Sequence, residues 1–168
     1  MSISESRAAC ASTNFRVQYP NSRPRRIKII GLGEGGGRIA QAIAHRGLAE
    51  VEIIATSGNF KDHAAAVING INGINDDTRD LYRQLQTADI IFMIAVSGDQ
   101  VDFAGVVSRV ARELGKLVTG MLIEKQGEQS ANGLTTLSTL RTYADMLVIG
   151  SDETYLDQML GELGATAN

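Results

Sequence analysis

The chain has 168 residues, 43% of them hydrophobic, with a net charge of −3 and a single cysteine. That length holds one sizeable core and argues against two domains, and the slight negative charge gives no general field for nucleic acid. A lone Cys10 excludes an internal disulfide and makes a reducing cytoplasm the expected location.

Met1 to Asn21 are rich in Ser and Ala without a continuous apolar stretch, which fits neither a secretory signal nor a membrane span. Arg23, Arg25 and Arg26 read as a solvated linker. Residues 1–25 are therefore expected to be a disordered tail, and 26–168 a single domain.

In chain order, "IKIIGLGEGGGRIAQAIA" (Ile27 to Ala44) opens with a strand whose Ile27, Ile29 and Ile30 form a buried run. Gly31, Gly33 and Gly36 then match G-x-G-x-x-G where a strand turns into a helix. There the bare backbone and the positive end of the helix suit a phosphate. "RIAQAIAHRG" (Arg38 to Gly47) reads as that helix, ended by Gly47. A second strand is expected over Val51 to Thr56, a short helix over Lys61 to Ile68, a turn-rich loop over Asn69 to Asp76, and a helix over Asp77 to Leu85. The apolar run from Asp89 to Val96 suits a central strand buried on both faces. Helix Gln100 to Leu114, strand Leu117 to Ile123, helix Ala131 to Thr142, strand Met146 to Ile149 and helix Glu153 to Leu163 follow. The alternation predicts a Rossmann-like, doubly wound, mostly parallel α/β sheet with helices on both faces. Its ligands would sit at the carboxyl ends of the strands, where the glycines fall.

A nicotinamide or flavin site needs an acidic side chain at the end of the second strand, about 20 residues past the glycines. "IATSGNF" (Ile54 to Phe60) offers only the neutral Ser57 and Asn59 there. His45, near a helix C-terminus, and His63 stand beside no candidate nucleophile or metal partner in sequence and read as structural. No metal-ligand spacing occurs, and no catalytic residue is assigned.

Several segments in order resemble the nucleotide-binding GTPase domain of the tubulin and FtsZ family. "IKIIGLGEGGGRIAQAI" is similar to its first strand, glycine loop and helix, and "VEIIATSGN" to the segment that ends in its Asn-Thr-Asp loop. "TADIIFMIAVSG" and "VVSRVARELGKLVTGMLIEK" resemble the strands and helix around its signature glycine loop, and "LRTYADMLVIGSD" the stretch that closes the nucleotide domain. The resemblance covers most of Ile27 to Leu156 and implies GTP or GDP as ligand. Carried onto this sequence, it places Gly31, Gly33, Glu34, Gly35, Gly36, Gly37, Arg38, Ser57, Asn59, Ser97 and Gly98 around the nucleotide.

The same comparison marks departures. Glu34 stands where the family has glycine, Arg38 where it has the asparagine that meets guanine, and Asn59 where it has an acid. The signature run of glycines and threonines is replaced by "SGDQVDFAG" (Ser97 to Gly105), which puts Asp99 and Asp102 where amides should receive phosphate. The chain stops one helix after "GSDETY", so the family's second domain, which supplies catalytic acids to a neighbouring subunit, has no counterpart in it.

The expectation is thus a degenerate, single-domain FtsZ- or tubulin-like protein. It binds a guanine nucleotide weakly or not at all, hydrolyses no GTP alone, and acts through self-association, as a homodimer, or through protein partners, with no nucleic acid and no membrane. The alternatives are a nucleotide- or NAD(P)-dependent enzyme using Gly31 to Gly37, and a regulator that caps FtsZ-like filaments. Glu34 is expected to be the main obstacle to nucleotide affinity. The last helix, with Tyr155, Leu156, Met159, Leu160 and Leu163, is expected to bury an apolar face against another copy.

Overall fold

A computed structural model describes residues 25–54, 76–124, 131–163 and 165. Within them five parallel strands form one sheet: β1 (Ile27–Gly31), β2 (Val51–Ile54), β3 (Ile90–Val96), β4 (Val118–Ile123) and β5 (Met146–Gly150), in the order β2-β1-β3-β4-β5. The helices are α1 (Gly33–Ala44), α2 (Asp76–Gln86), α3 (Ala104–Glu113), α4 (Ala131–Tyr143) and α5 (Thr154–Glu162).

The alternation of side chains along the strands explains the two layers of helices. On one face Ile30, Ile91, Met93, Ala95, Val118 and Leu122 pack with Leu81 and Leu85 of α2, Val107 and Val110 of α3, and Leu140 of α4. On the other, Ile27, Ile29, Phe92, Ile94, Met121 and Ile123 pack with Ile39 and Ile43 of α1 and Leu156 and Leu160 of α5. β3 is central and carries no charge, as a strand desolvated on both faces requires. The doubly wound α/β reading therefore holds.

One charged side chain enters this core. Lys28, in the middle of β1, is buried, and its ammonium donates to Glu52, its register partner on β2. The two edges differ: β2 bears Glu52, whereas β5 has neither charge nor proline and leaves Met146 and Ile149 exposed.

The elements depart from expectation in three places. Helix α1 starts at Gly33 rather than Arg38, so the glycines form its first turn. Poor intrinsic propensity hides that turn in the sequence, and packing on β1 and β3 imposes it. Helix α3 starts at Ala104 rather than Gln100, because residues 97–103 are spent in a turn. In α5, Leu156 and Leu160 are buried on the molecule's own sheet, with Met159 and Leu163 packed beside them, so most of the apolar stripe is covered within one copy and Tyr155 is left exposed. The end of the second strand at residues 55–56, the short helix at 61–68, the loop at 69–75 and the N-terminal tail up to residue 24 lie outside the described residues. Among the described residues no helix is long and apolar enough to cross a membrane.

Candidate functional site

The connection from β1 goes to β2 on one side, and the chain then crosses to β3 on the other, so the strand order reverses between β1 and β3. The crevice beyond their carboxyl ends is where open α/β sheets hold ligands. Two pieces of backbone meet there: the glycine turn after β1 and the turn after β3.

Each glycine of the fingerprint has a steric reason in the turn. Leu32 donates its N–H to the Ile94 carbonyl at 2.8 Å, which draws the chain tightly over β3. A Cβ on Gly36 would lie 2.1 Å from that same carbonyl oxygen, and one on Gly31 would lie 2.5 Å from the Gly36 oxygen, so both positions are closed to any side chain. Gly33 has φ of +66°, a conformation that side chains disfavour. A Cβ on Gly33 or Gly35 would also run into the side chain of Asp99, at 2.7 and 2.8 Å.

Asp99 occupies the mouth of the turn. The chain leaving β3 folds back through Ser97 and Gly98, the latter at φ +93°, and the Asp99 N–H donates to the Val96 carbonyl at 2.9 Å. The Asp99 carboxylate then accepts three backbone N–H bonds: Gly35 to Oδ1 at 3.0 Å, Gly36 to Oδ2 at 2.8 Å, and Val96 to Oδ2 at 2.8 Å. Both α1 donors lie in its first turn: Gly35 is among the N–H groups that have no intrahelical acceptor, and Gly36 is the next donor, four residues past the N-cap Leu32. A carboxylate satisfies them and meets the positive end of the helix. The main-chain oxygen of Asp99 is held as well, accepting from the Thr136 hydroxyl of α4 at 2.8 Å. Thr136 is buried and bonds its own helix at Asn132.

The residues expected around a nucleotide are only partly brought together. Gly31, Gly33, Gly35 and Gly36 converge on the crevice, and Gly37 is in the same turn with open space around its α-carbon. Ser97 and Gly98 approach it from β3, the Ser97 N–H donating to Ile123 at 2.9 Å. Glu34 and Arg38 are both exposed, and among the described residues no ion pair joins them; the carboxylate on the amides is that of Asp99 instead. Asp102, expected near the same anion site, is exposed. Ser57 and Asn59 lie outside the described residues. Sequence reasoning placed Asp99 beside the site but missed its grip on Gly35 and Gly36. The signal was an aspartate in a Ser-Gly-Asp turn directly after the most apolar strand, facing a glycine turn across the point of strand reversal.

No protein-family model matches the chain. Its fold does match solved structures of FtsZ. A mutant FtsZ from M. jannaschii superimposes with a TM-score of 0.54 and 15% identity over 79% of this chain and 48% of that one. An empty FtsZ dimer from M. jannaschii gives 0.55 and 15% over 82% of this chain and 48% of that one. The chain thus spans about half the length of the structures it matches. At this level of identity the likeness is one of fold alone, a tubulin/FtsZ-like α/β fold.

Proposed function

We propose that this chain is an FtsZ- or tubulin-like binding module whose glycine turn holds a guanine nucleotide weakly or not at all, which hydrolyses no GTP alone and acts through self-association or protein partners. The observation that carries the reading is the Asp99 carboxylate on the Gly35 and Gly36 amides. A phosphate arriving at those amides must expel a charge-assisted acceptor held by three donors, in a turn that also presents Glu34. Exposed apolar side chains on the uncharged edge strand β5, Met146 and Ile149, with Tyr155 of α5 nearby in sequence, support association with another protein surface.

The test is calorimetric titration with GTP, GDP, ATP, NAD and NADP, each with and without magnesium, alongside an assay of phosphate release. The expected result is no saturable heat, or dissociation constants of about 1 mM and weaker, and no release above a heat-treated control. Micromolar binding of a guanine nucleotide, or magnesium-dependent release of phosphate, overturns the reading. Micromolar binding of NAD or NADP favours the dinucleotide enzyme instead.

A further inference from the structure

We propose that Asp99 is a built-in latch: its carboxylate stands in for the phosphoryl oxygens of a ligand, closes the glycine turn from inside, and ties that closed state to helix α4. The inference rests on the reading that the turn is closed to nucleotide, and it assigns the closure to one side chain.

Three observations meet at this residue. The two carboxylate oxygens divide the amides as two oxygens of a phosphoryl group would, Oδ1 on Gly35 and Oδ2 on Gly36 and Val96. The glycines are shaped around the side chain, since a Cβ on Gly33 or Gly35 would strike Asp99 atoms. The third is mechanical. The Thr136 hydroxyl reaches across from α4 to the Asp99 carbonyl, so the same residue fastens α1, the end of β3 and α4 together.

An internal acceptor has an advantage over one in solution. Asp99 is held three residues from Val96 by a turn closed with its own N–H, so its carboxylate meets the amides at a fixed, high effective concentration. Free phosphate competes poorly against it. When the carboxylate leaves, the Gly35, Gly36 and Val96 amides lose this acceptor together, while the Thr136 hydroxyl still ties the Asp99 main chain to α4.

Hydrogen exchange without nucleotide reads the latch directly. In the unaltered protein the Gly35, Gly36 and Val96 amides are expected to be protected, with no response to inorganic phosphate. Asp99→Asn presents an N–H pair to one donor and is expected to raise exchange at these amides about tenfold or more, with the other β3 and β4 amides unchanged. Added phosphate should then restore protection in the variant alone. Equal exchange in both proteins, or phosphate protecting the unaltered protein as well as the variant, overturns the proposal. Should Asp99→Asn fail to fold, Thr136→Val keeps the carboxylate and removes only the tie to α4. Faster exchange at the same three amides supports the latch, and unchanged exchange there sinks it. Tight binding of GTP to the unaltered protein would defeat the weak-binding reading and the closure that rests on it, whereas indifference of the three amides to Asp99 would defeat the latch and leave that reading standing.

Discussion

Gly36 and Gly37 are neighbours in one helical turn with opposite surroundings, and the contrast separates a fold requirement from a propensity effect. A methyl group on Gly36 would enter the Ile94 carbonyl, whereas one on Gly37 would meet nothing within 4 Å. Gly36→Ala should therefore destabilise by about 3 kcal/mol through overpacking against backbone. Gly37→Ala should stabilise by about 0.5–1 kcal/mol, because alanine loses less backbone freedom in a helix. Urea denaturation midpoints check both, and similar shifts for the two variants would contradict the packing described. The fingerprint itself was legible in the sequence, since glycine spacing is local. Its occupant was not, because Gly35 and Asp99 are 64 residues apart and only the sheet order brings them together.

Elements were read best where the pattern was long and apolar. The run Ile90–Val96 and the run Val118–Ile123 have a single physical solution, a strand covered on both faces, and both appear as expected. Helix starts were read worse, because glycines and turns at α1 and α3 carry little propensity of their own. The start of α5 has a side-chain device. Asp152 accepts the Thr154 N–H at 2.9 Å, and hydrogen bonds from Thr154, its side chain first and then its backbone, hold the Asp152 carboxyl below the usual carboxylate range. A carboxyl whose value is lower in the folded chain than in the unfolded one adds stability above its unfolded value, and that stability is lost as pH falls through the folded value. Asp152→Asn, which keeps an acceptor and removes the charge, should thus melt slightly lower than the unaltered protein at pH 7, with the gap closing in strong acid. Melting curves from neutral to acidic pH decide it, and a gap that persists unchanged into acid contradicts this account.

At the scale of the whole molecule, both faces of the sheet are covered and the edges are where another chain can join. Burying Leu156 and Leu160 on the sheet, at about 1.5–3 kcal/mol each, leaves α5 with little apolar surface beyond Tyr155 for a partner. The expected contact surface accordingly moves to the edge strand β5, whose Met146 and Ile149, on opposite faces of the sheet, are exposed and whose sequence has no charge to deter pairing. If copies associate there about a two-fold axis, light scattering gives twice the mass of one chain at high micromolar concentration. Ile149→Lys should return that mass to one chain with unchanged circular dichroism. A monomer at all concentrations, or a dimer indifferent to the lysine, removes β5 from the proposal.

The buried Lys28 has a consequence for how the sheet is assembled. Among the described residues four register pairs join β2 to β1, one of which sets Lys28 against Glu52. A slip of β2 by one position turns Glu52 to the opposite face and leaves the ammonium in the core without a counter-ion. An uncompensated buried charge costs on the order of 3–5 kcal/mol, while the intact pair adds little net stability over a hydrophobic replacement. The pair thus serves less as cement than as a key. It rejects wrongly seated copies of the edge strand, and so fixes the frame from which the chain enters residues 55–75.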